Sequence, residues 1–102
     1  MELTILERIV LSSLFAQKED IIYQKAVRDI EAKAGFSAEE IEEYKFEQMP
    51  EGGTKWRLDV PQEKEIDLSG AEKGIIVGAL EKLNDKKEIT KDHITLYEKF
   101  VE

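Results

Sequence analysis

A chain of 102 residues, 41% apolar and 37% charged, can bury one ordinary hydrophobic core but not two, so a single domain spanning residues 1–102 is expected. It has no cysteine, which removes disulfides, thiolate metal sites and thiol nucleophiles. Its formal net charge of −8 argues against direct contact with nucleic-acid backbones or anionic membranes, both of which need basic patches.

No basic segment opens the chain, and Glu7 and Arg8 break its first apolar run. Neither a signal peptide nor a membrane span is therefore expected, and the cytoplasm is the expected compartment. Thr4-Ile5-Leu6-Glu7 has the form of a capping box, Thr4 covering an orphan amide and Glu7 reaching back. It predicts a first helix from Ile5 to Ala16. Ile5, Leu6, Ile9, Val10, Leu11, Leu14 and Phe15 occupy most of its circumference, so burial on more than one side is expected, as a central helix or at a subunit contact. A second helix, Asp20 to Ala34, carries a one-sided stripe of Ile22, Tyr23, Ala26, Val27, Ile30 and Ala34, and Gly35 is expected to close it with a left-handed residue. Ser37-Ala38-Glu39-Glu40 is a second capping box, with Phe36 and Ile41 at the hydrophobic-staple positions, and starts a short third helix.

The periodicity then changes to two. Lys45 to Met49 reads as a strand, Pro50-Glu51-Gly52-Gly53 as a turn, and Thr54 to Val60 as a second strand. In the second strand Thr54, Trp56, Leu58 and Val60 are expected to share one face, which makes Trp56 a core residue, and Pro61 ends the ladder. Glu65 to Leu68 reads as a short third strand. Ser69-Gly70-Ala71-Glu72 is a third capping box and opens a fourth helix to about Leu83. After a polar connection, a fifth helix begins at Thr90, with Ile94, Tyr97, Phe100 and Val101 as its apolar stripe.

Few residues point to chemistry. His93 is the sole histidine and has no metal-ligand spacing around it, so a surface or cap role is expected, with no metal and no cofactor. No nucleophile elbow accompanies it, so no catalytic residue is assigned. Glu39, Glu40, Glu42, Glu43 and Glu47 crowd one segment. They read as a solvated, dipole-favoured helix face or as a docking surface for a basic partner, with hard-cation binding a third reading that lacks the D-x-D-x-D-G loop of a calcium site. In the fourth helix Gly70, Gly74 and Gly78 recur every four residues, although a helical glycine costs about 1 kcal/mol relative to alanine. Gly74 and Gly78, flanked by Ile75 and Val77, form a smooth face opposite Ile76, Leu80 and Leu83. That face suits close approach of another backbone, either the first helix of the same chain or another subunit.

Lys64-Glu65-Ile66-Asp67-Leu68 through Ala79-Leu80-Glu81-Lys82-Leu83, Ile94 to Phe100, and the opening Leu6-Glu7-Arg8-Ile9-Val10-Leu11 together resemble small acidic proteins encoded by phages and prophages of low-GC Gram-positive bacteria. The likeness covers most of the chain in order and composition. It implies a phage accessory product made in the host cytoplasm and acting by binding, and it transfers no residue role.

The fold expected is α+β: four to five helices, with a β-hairpin or small antiparallel sheet inserted between helices three and four. The function expected is a non-catalytic accessory protein that holds a protein partner, with a homo-oligomer as one form of it. The alternative is an anti-defence inhibitor: an acidic DNA mimic, an anti-CRISPR-like protein, or a nucleotide-sequestering protein to which Lys55 or Arg57 contributes. An enzyme would require a pocket converging on His93, a tyrosine and carboxylates.

Overall fold

Three helices start where a Thr or Ser stands three residues ahead of a glutamate, and each start is a complete capping box. Thr4 N–H donates to Glu7 Oε1 at 2.8 Å, Ser37 N–H to Glu40 Oε1 at 3.0 Å, and Ser69 N–H to Glu72 Oε1 at 2.8 Å. The return bonds, from the glutamate amides to Thr4, Ser37 and Ser69 hydroxyls, are 3.0, 3.1 and 3.1 Å. The computed structural model describes residues Met1–Glu102. In chain order the elements are β1 (Glu2–Thr4), α1 (Ile5–Leu11), α2 (Ile21–Ala34), α3 (Ala38–Tyr44), β2 (Glu47–Gln48), β3 (Thr54–Lys55), β4 (Glu63–Glu65), α4 (Gly70–Asp85) and α5 (Ile94–Phe100), the last entered through a 3₁₀ turn at Lys91–His93. The architecture is α+β, with the hairpin between α3 and α4.

The two sheets are separate. β2 and β3 form the hairpin, with Glu47 opposite Lys55 and Gln48 opposite Thr54. Its connection uses Gly52 and Gly53 at φ of 97° and 83°, where a side chain would be strained. β1 and β4 pair antiparallel, Glu2 opposite Glu65, Leu3 opposite Lys64 and Thr4 opposite Glu63. Sequence reading does not anticipate β1, because three residues before a capping box carry no period. The expected third strand at Glu65–Leu68 begins two residues earlier, and Ile66 and Leu68 are buried just beyond it.

Three expectations are corrected. α1 stops at Leu11 rather than Ala16, because the Ser12 and Ser13 hydroxyls donate to Ile9 O and Val10 O at 2.7 and 2.8 Å. Such back-bonding competes with the helical ladder. Gly35 closes α2 with extended backbone at φ −70°, not left-handed. Its glycine is required by space: a Cβ there would stand 2.5 Å from Glu31 O. The expected strand from Thr54 to Val60 has only two ladder residues. The hairpin register places Leu58 opposite Tyr44 and Val60 opposite Glu42, and both of those belong to α3. With no extended partner the chain leaves the ladder at Trp56, and Leu58, expected in the core, is 81% exposed.

The main core joins Leu3, Val10, Leu11, Ile30, Ala34, Ile66, Leu68, Ile76, Leu80 and Leu96, drawing on β1, the residues after β4, and every helix but α3. A second, aromatic cluster holds α3 and the hairpin. Phe36 meets Phe46 at 4.8 Å, Tyr44 meets Phe46 at 5.9 Å, and Phe46 meets Trp56 at 6.3 Å, all edge to face, the geometry favoured by ring quadrupoles. No helix is long and apolar enough to cross a membrane.

Candidate functional site

The four buried charged residues are Glu7, Arg8, Glu40 and Glu72. Three of them are the capping-box glutamates, and each takes a base from another element as well. Glu7 meets Lys99 of α5 at 2.7 Å, Glu40 meets Arg8 of α1 at 2.9 Å, and Glu72 meets Lys33 of α2 at 2.7 Å. The Lys33–Glu72 pair joins the end of α2 to the start of α4. Arg8 is bidentate to Glu40, donates to Ala34 O and Gly35 O at 2.9 and 2.7 Å, and lies 4.2 Å over the Phe36 ring. Tyr44 Oη donates to Glu40 Oε2 at 3.2 Å. Hydrogen bonds from Arg8 hold the Glu40 carboxyl down at about 2 against the opposing effect of burial. Burial pushes the Glu7 carboxyl up, but hydrogen bonds from Lys99 and the Thr4 amide outweigh it and hold it below its ordinary value. Lys33 lowers Glu72 in the same way.

These contacts revise the acidic segment. Glu40 is turned inward, 9% exposed, and belongs to the Arg8 pair rather than to a docking surface. Glu47 is exposed and pairs with Lys55 across the hairpin at 3.3 Å. Glu39, Glu42 and Glu43 remain outward. The bases considered for a nucleotide are engaged as well, Lys55 with Glu47 and Arg57 with Asp59. His93 Nδ1 accepts from the Thr90 amide at 2.9 Å, a cap contact as expected.

The glycine face is also revised. Gly74 and Gly78 are exposed, and a Cβ added at either would meet nothing within 4 Å. α1 does not lie against them; α4 packs on α2 and α5 with its other side. Val77 and Ile75 are half-buried. Ile75 and Gly78, without Gly74 or Val77, join Leu14, Phe15, Tyr23 and Leu83 in a cleft of about 380 Å³. Phe15 forms a wall of that cleft and also of a second one of about 300 Å³, bounded by Leu11, Ile30, Phe36, Ile41 and the Arg8 side chain. The Ser12–Asp20 connection, which replaces the end of the expected first helix, shapes both. It is tied to α2 by Tyr23 Oη, which accepts from Ala16 N–H at 3.3 Å, and by Gln24, which donates to Ala16 O and Gln17 O.

Two apolar side chains stand exposed on the helices: Ile22, 78% exposed at the start of α2, and Ile41, 51% exposed on α3 and in the wall of the smaller cleft. Beyond the aromatic cluster, the loop from Trp56 to Gln62 presents Leu58. It is clipped by one side chain: Gln62 Nε2 donates to Val60 O at 2.7 Å and Arg57 O at 3.1 Å, while Gln62 Oε1 accepts from Trp56 Nε1 at 2.9 Å. Arg57 N–H donates to Tyr44 O at 2.9 Å and anchors the loop on α3. Sequence reading misses this display because the alternation places Leu58 inward; Gln62, one residue past Pro61, is the only sign of the clip. The chain matches no protein-family model, no curated protein and no solved structure.

Proposed function

We propose that this chain is a non-catalytic accessory protein of the phage type that works by protein–protein interaction inside the host cell, self-association being one form of that binding. The observation that carries the reading is a pair of open, largely apolar clefts of about 380 and 300 Å³ that share Phe15 as a wall. Exposed apolar surface of this kind is what partner-binding faces offer. The phage setting rests on the sequence resemblance alone. An anti-defence acidic mimic is the weaker reading, since Glu40 and Glu47 are spent on Arg8 and Lys55.

Gly78→Arg tests the reading. A Cβ added there meets nothing within 4 Å, and Gly78 lines the larger cleft, so the arginine sets a bulky charge at that cleft; a circular dichroism melt confirms that the variant folds. A partner captured from host extract by the wild-type chain is expected to be lost by Gly78→Arg. Equal retention by both proteins, or turnover of a metabolite by the isolated chain, overturns it.

A further inference from the structure

The short sheet of β1 and β4 sets like charges against each other. Ile66 N–H donates to Met1 O and Ile5 N–H to Gln62 O, both at 2.8 Å. Such hydrogen-bonded sites alternate with non-hydrogen-bonded ones along an antiparallel ladder. Glu2–Glu65 and Thr4–Glu63 are therefore non-hydrogen-bonded pairs, in which side chains stand closest. Leu3, between Glu2 and Thr4, is fully buried. Strand alternation then turns Glu2, Glu63 and Glu65 to the other, solvent-facing side, where all three are exposed. Glu2 has Glu65 directly across from it and Glu63 on the diagonal, within reach of a long side chain. Like charges so placed weaken a strand pair.

The nearby bases are engaged elsewhere. The Met1 ammonium donates to Glu65 Oε1 at 2.7 Å. Lys99 of α5 donates to the Glu2 carbonyl at 2.9 Å and to Glu7 Oε1 at 2.7 Å, not to the Glu2 carboxylate. Lys64, opposite Leu3, reaches Glu40 at 3.5 Å, and on α1 Glu7 pairs with Lys99 and Arg8 with Glu40. Glu2 and Glu63 are left to each other. A hydrogen bond between two carboxyl groups needs a proton on one of them. That bond with Glu63, reinforced by the charges of Glu63 and Glu65 and opposed by Lys99, holds the Glu2 carboxyl above its ordinary value. The capping carboxylates Glu7, Glu40 and Glu72 are shifted the opposite way.

We propose that the β1–β4 seam is an acid-tightened latch, in which a proton held between Glu2 and Glu63 strengthens the strand pair and its release loosens β1. A group that binds its proton more tightly in the folded chain stabilises the fold at low pH, and that contribution drains as pH rises through the folded value. The capping carboxylates bind theirs less tightly, so their ion pairs persist until pH falls below the ordinary carboxylate range. On acidification from neutral pH the seam tightens before those pairs weaken. What the latch holds is the entry to α1: Leu3 sits in the main core, and Thr4, the last residue of β1, is the N-cap of that helix. The latch is independent of what the two clefts hold.

Amide exchange on the full chain decides it. The Ile5 and Ile66 amides donate across the seam. Their protection factors are taken relative to that of Leu80 in the core of α4, so that a change in global stability cancels. The wild-type ratio is expected to rise about two- to fivefold from about pH 7 to about pH 5. Glu63→Gln keeps the shape of the protonated acid, and its amide donates to Glu2 with no proton to lose. Position 63 is exposed, and a circular dichroism melt confirms that the variant folds. Its ratio is expected to stand at the acid level already at neutral pH and to stay flat. The NMR shift of the Glu2 carboxyl carbon is expected to titrate at a higher pH in the wild-type chain than in Glu63→Gln. A wild-type ratio that is flat or falls on acidification, a variant that keeps the wild-type dependence, or a Glu2 that titrates alike in both chains overturns the proposal.

Discussion

Replacing Glu40 by Gln keeps the side chain's shape and removes one charge from the interior. Arg8 is then 2% exposed with its counter-charge gone, and only the carbonyls of Ala34 and Gly35 still accept from it without change. Removing one partner of a buried pair costs about 3–5 kcal/mol, because the other charge is left in a medium that solvates it poorly. The proton affinity of Glu40 gives an independent figure. Its carboxyl is held at about 2 against an ordinary 4.5, so it binds a proton about 300-fold less tightly in the folded chain, equivalent to about 3 kcal/mol at neutral pH. Urea denaturation should show the midpoint of Glu40→Gln falling by about 1–3 M at pH 7. The pH dependence has a definite sign. The folded value lies below the unfolded one, so the contribution is complete above about pH 5 and drains as pH falls toward 2, with about 2 kcal/mol gone by pH 3. Glutamine has no proton to bind at this position, so the wild-type and variant stabilities should converge on acidification. A deficit under about 1 kcal/mol at neutral pH, or one that stays constant down to pH 3, refutes the reasoning.

The remaining pairs and faces give graded outcomes. Lys99→Met leaves Glu7, 1% exposed and with Oε2 already unpaired, without its cation; a loss of about 2–3 kcal/mol is expected. It should concentrate in amide exchange of α5, and unchanged protection there contradicts the clamp. Lys33→Ala should cost under about 1 kcal/mol by thermal melting, because Lys33 is 44% exposed in its side chain. The double substitution Gly74→Ala and Gly78→Ala meets empty space at both positions; it should stabilise the chain by about 1–2 kcal/mol, and a lowered melting temperature would show that something covers this face. Leu58→Ser should change stability by less than about 0.5 kcal/mol, whereas a core leucine would lose several times that.

What the sequence discloses here is what depends on a few neighbouring residues. The three capping boxes place the starts of α1, α3 and α4 to the residue, since donor and acceptor lie three positions apart. The Gly52-Gly53 turn is readable for the same reason, as its positive φ angles demand glycine locally. Failures begin where a distant element decides. Thr54–Val60 alternates like a strand, but a strand needs a ladder partner, and α3 occupies the residues that the register requires. The withdrawal of Glu40 from the acidic segment depends on Arg8, 32 positions away. One clue was present: Glu7 and Arg8 interrupt an otherwise apolar helix, and charges so placed must either leave the core or find partners inside it.

The capping glutamates show how this small, cysteine-free chain ties its helices together. A capping box by itself contributes on the order of 1 kcal/mol, and it is satisfied locally wherever the helix goes. Giving the same carboxylate a second, long-range partner makes the helix start and the packing of the helix parts of one network. Glu7 ties α1 to α5, Glu40 ties α3 to α1, and Glu72 ties α4 to α2. Each carboxylate is held by its own N-cap, so its tertiary bond costs less additional side-chain entropy. The same arrangement sorts the charges of a strongly acidic chain. Three carboxylates are neutralised inside the fold, and the smaller cleft is built on one of the resulting pairs, with the Arg8 side chain in its wall and Phe36 stacked beneath the guanidinium. Loss of the Arg8–Glu40 pair should therefore loosen that wall, so Glu40→Gln is expected to speed amide exchange around Arg8 and Phe36 as well as to lower stability.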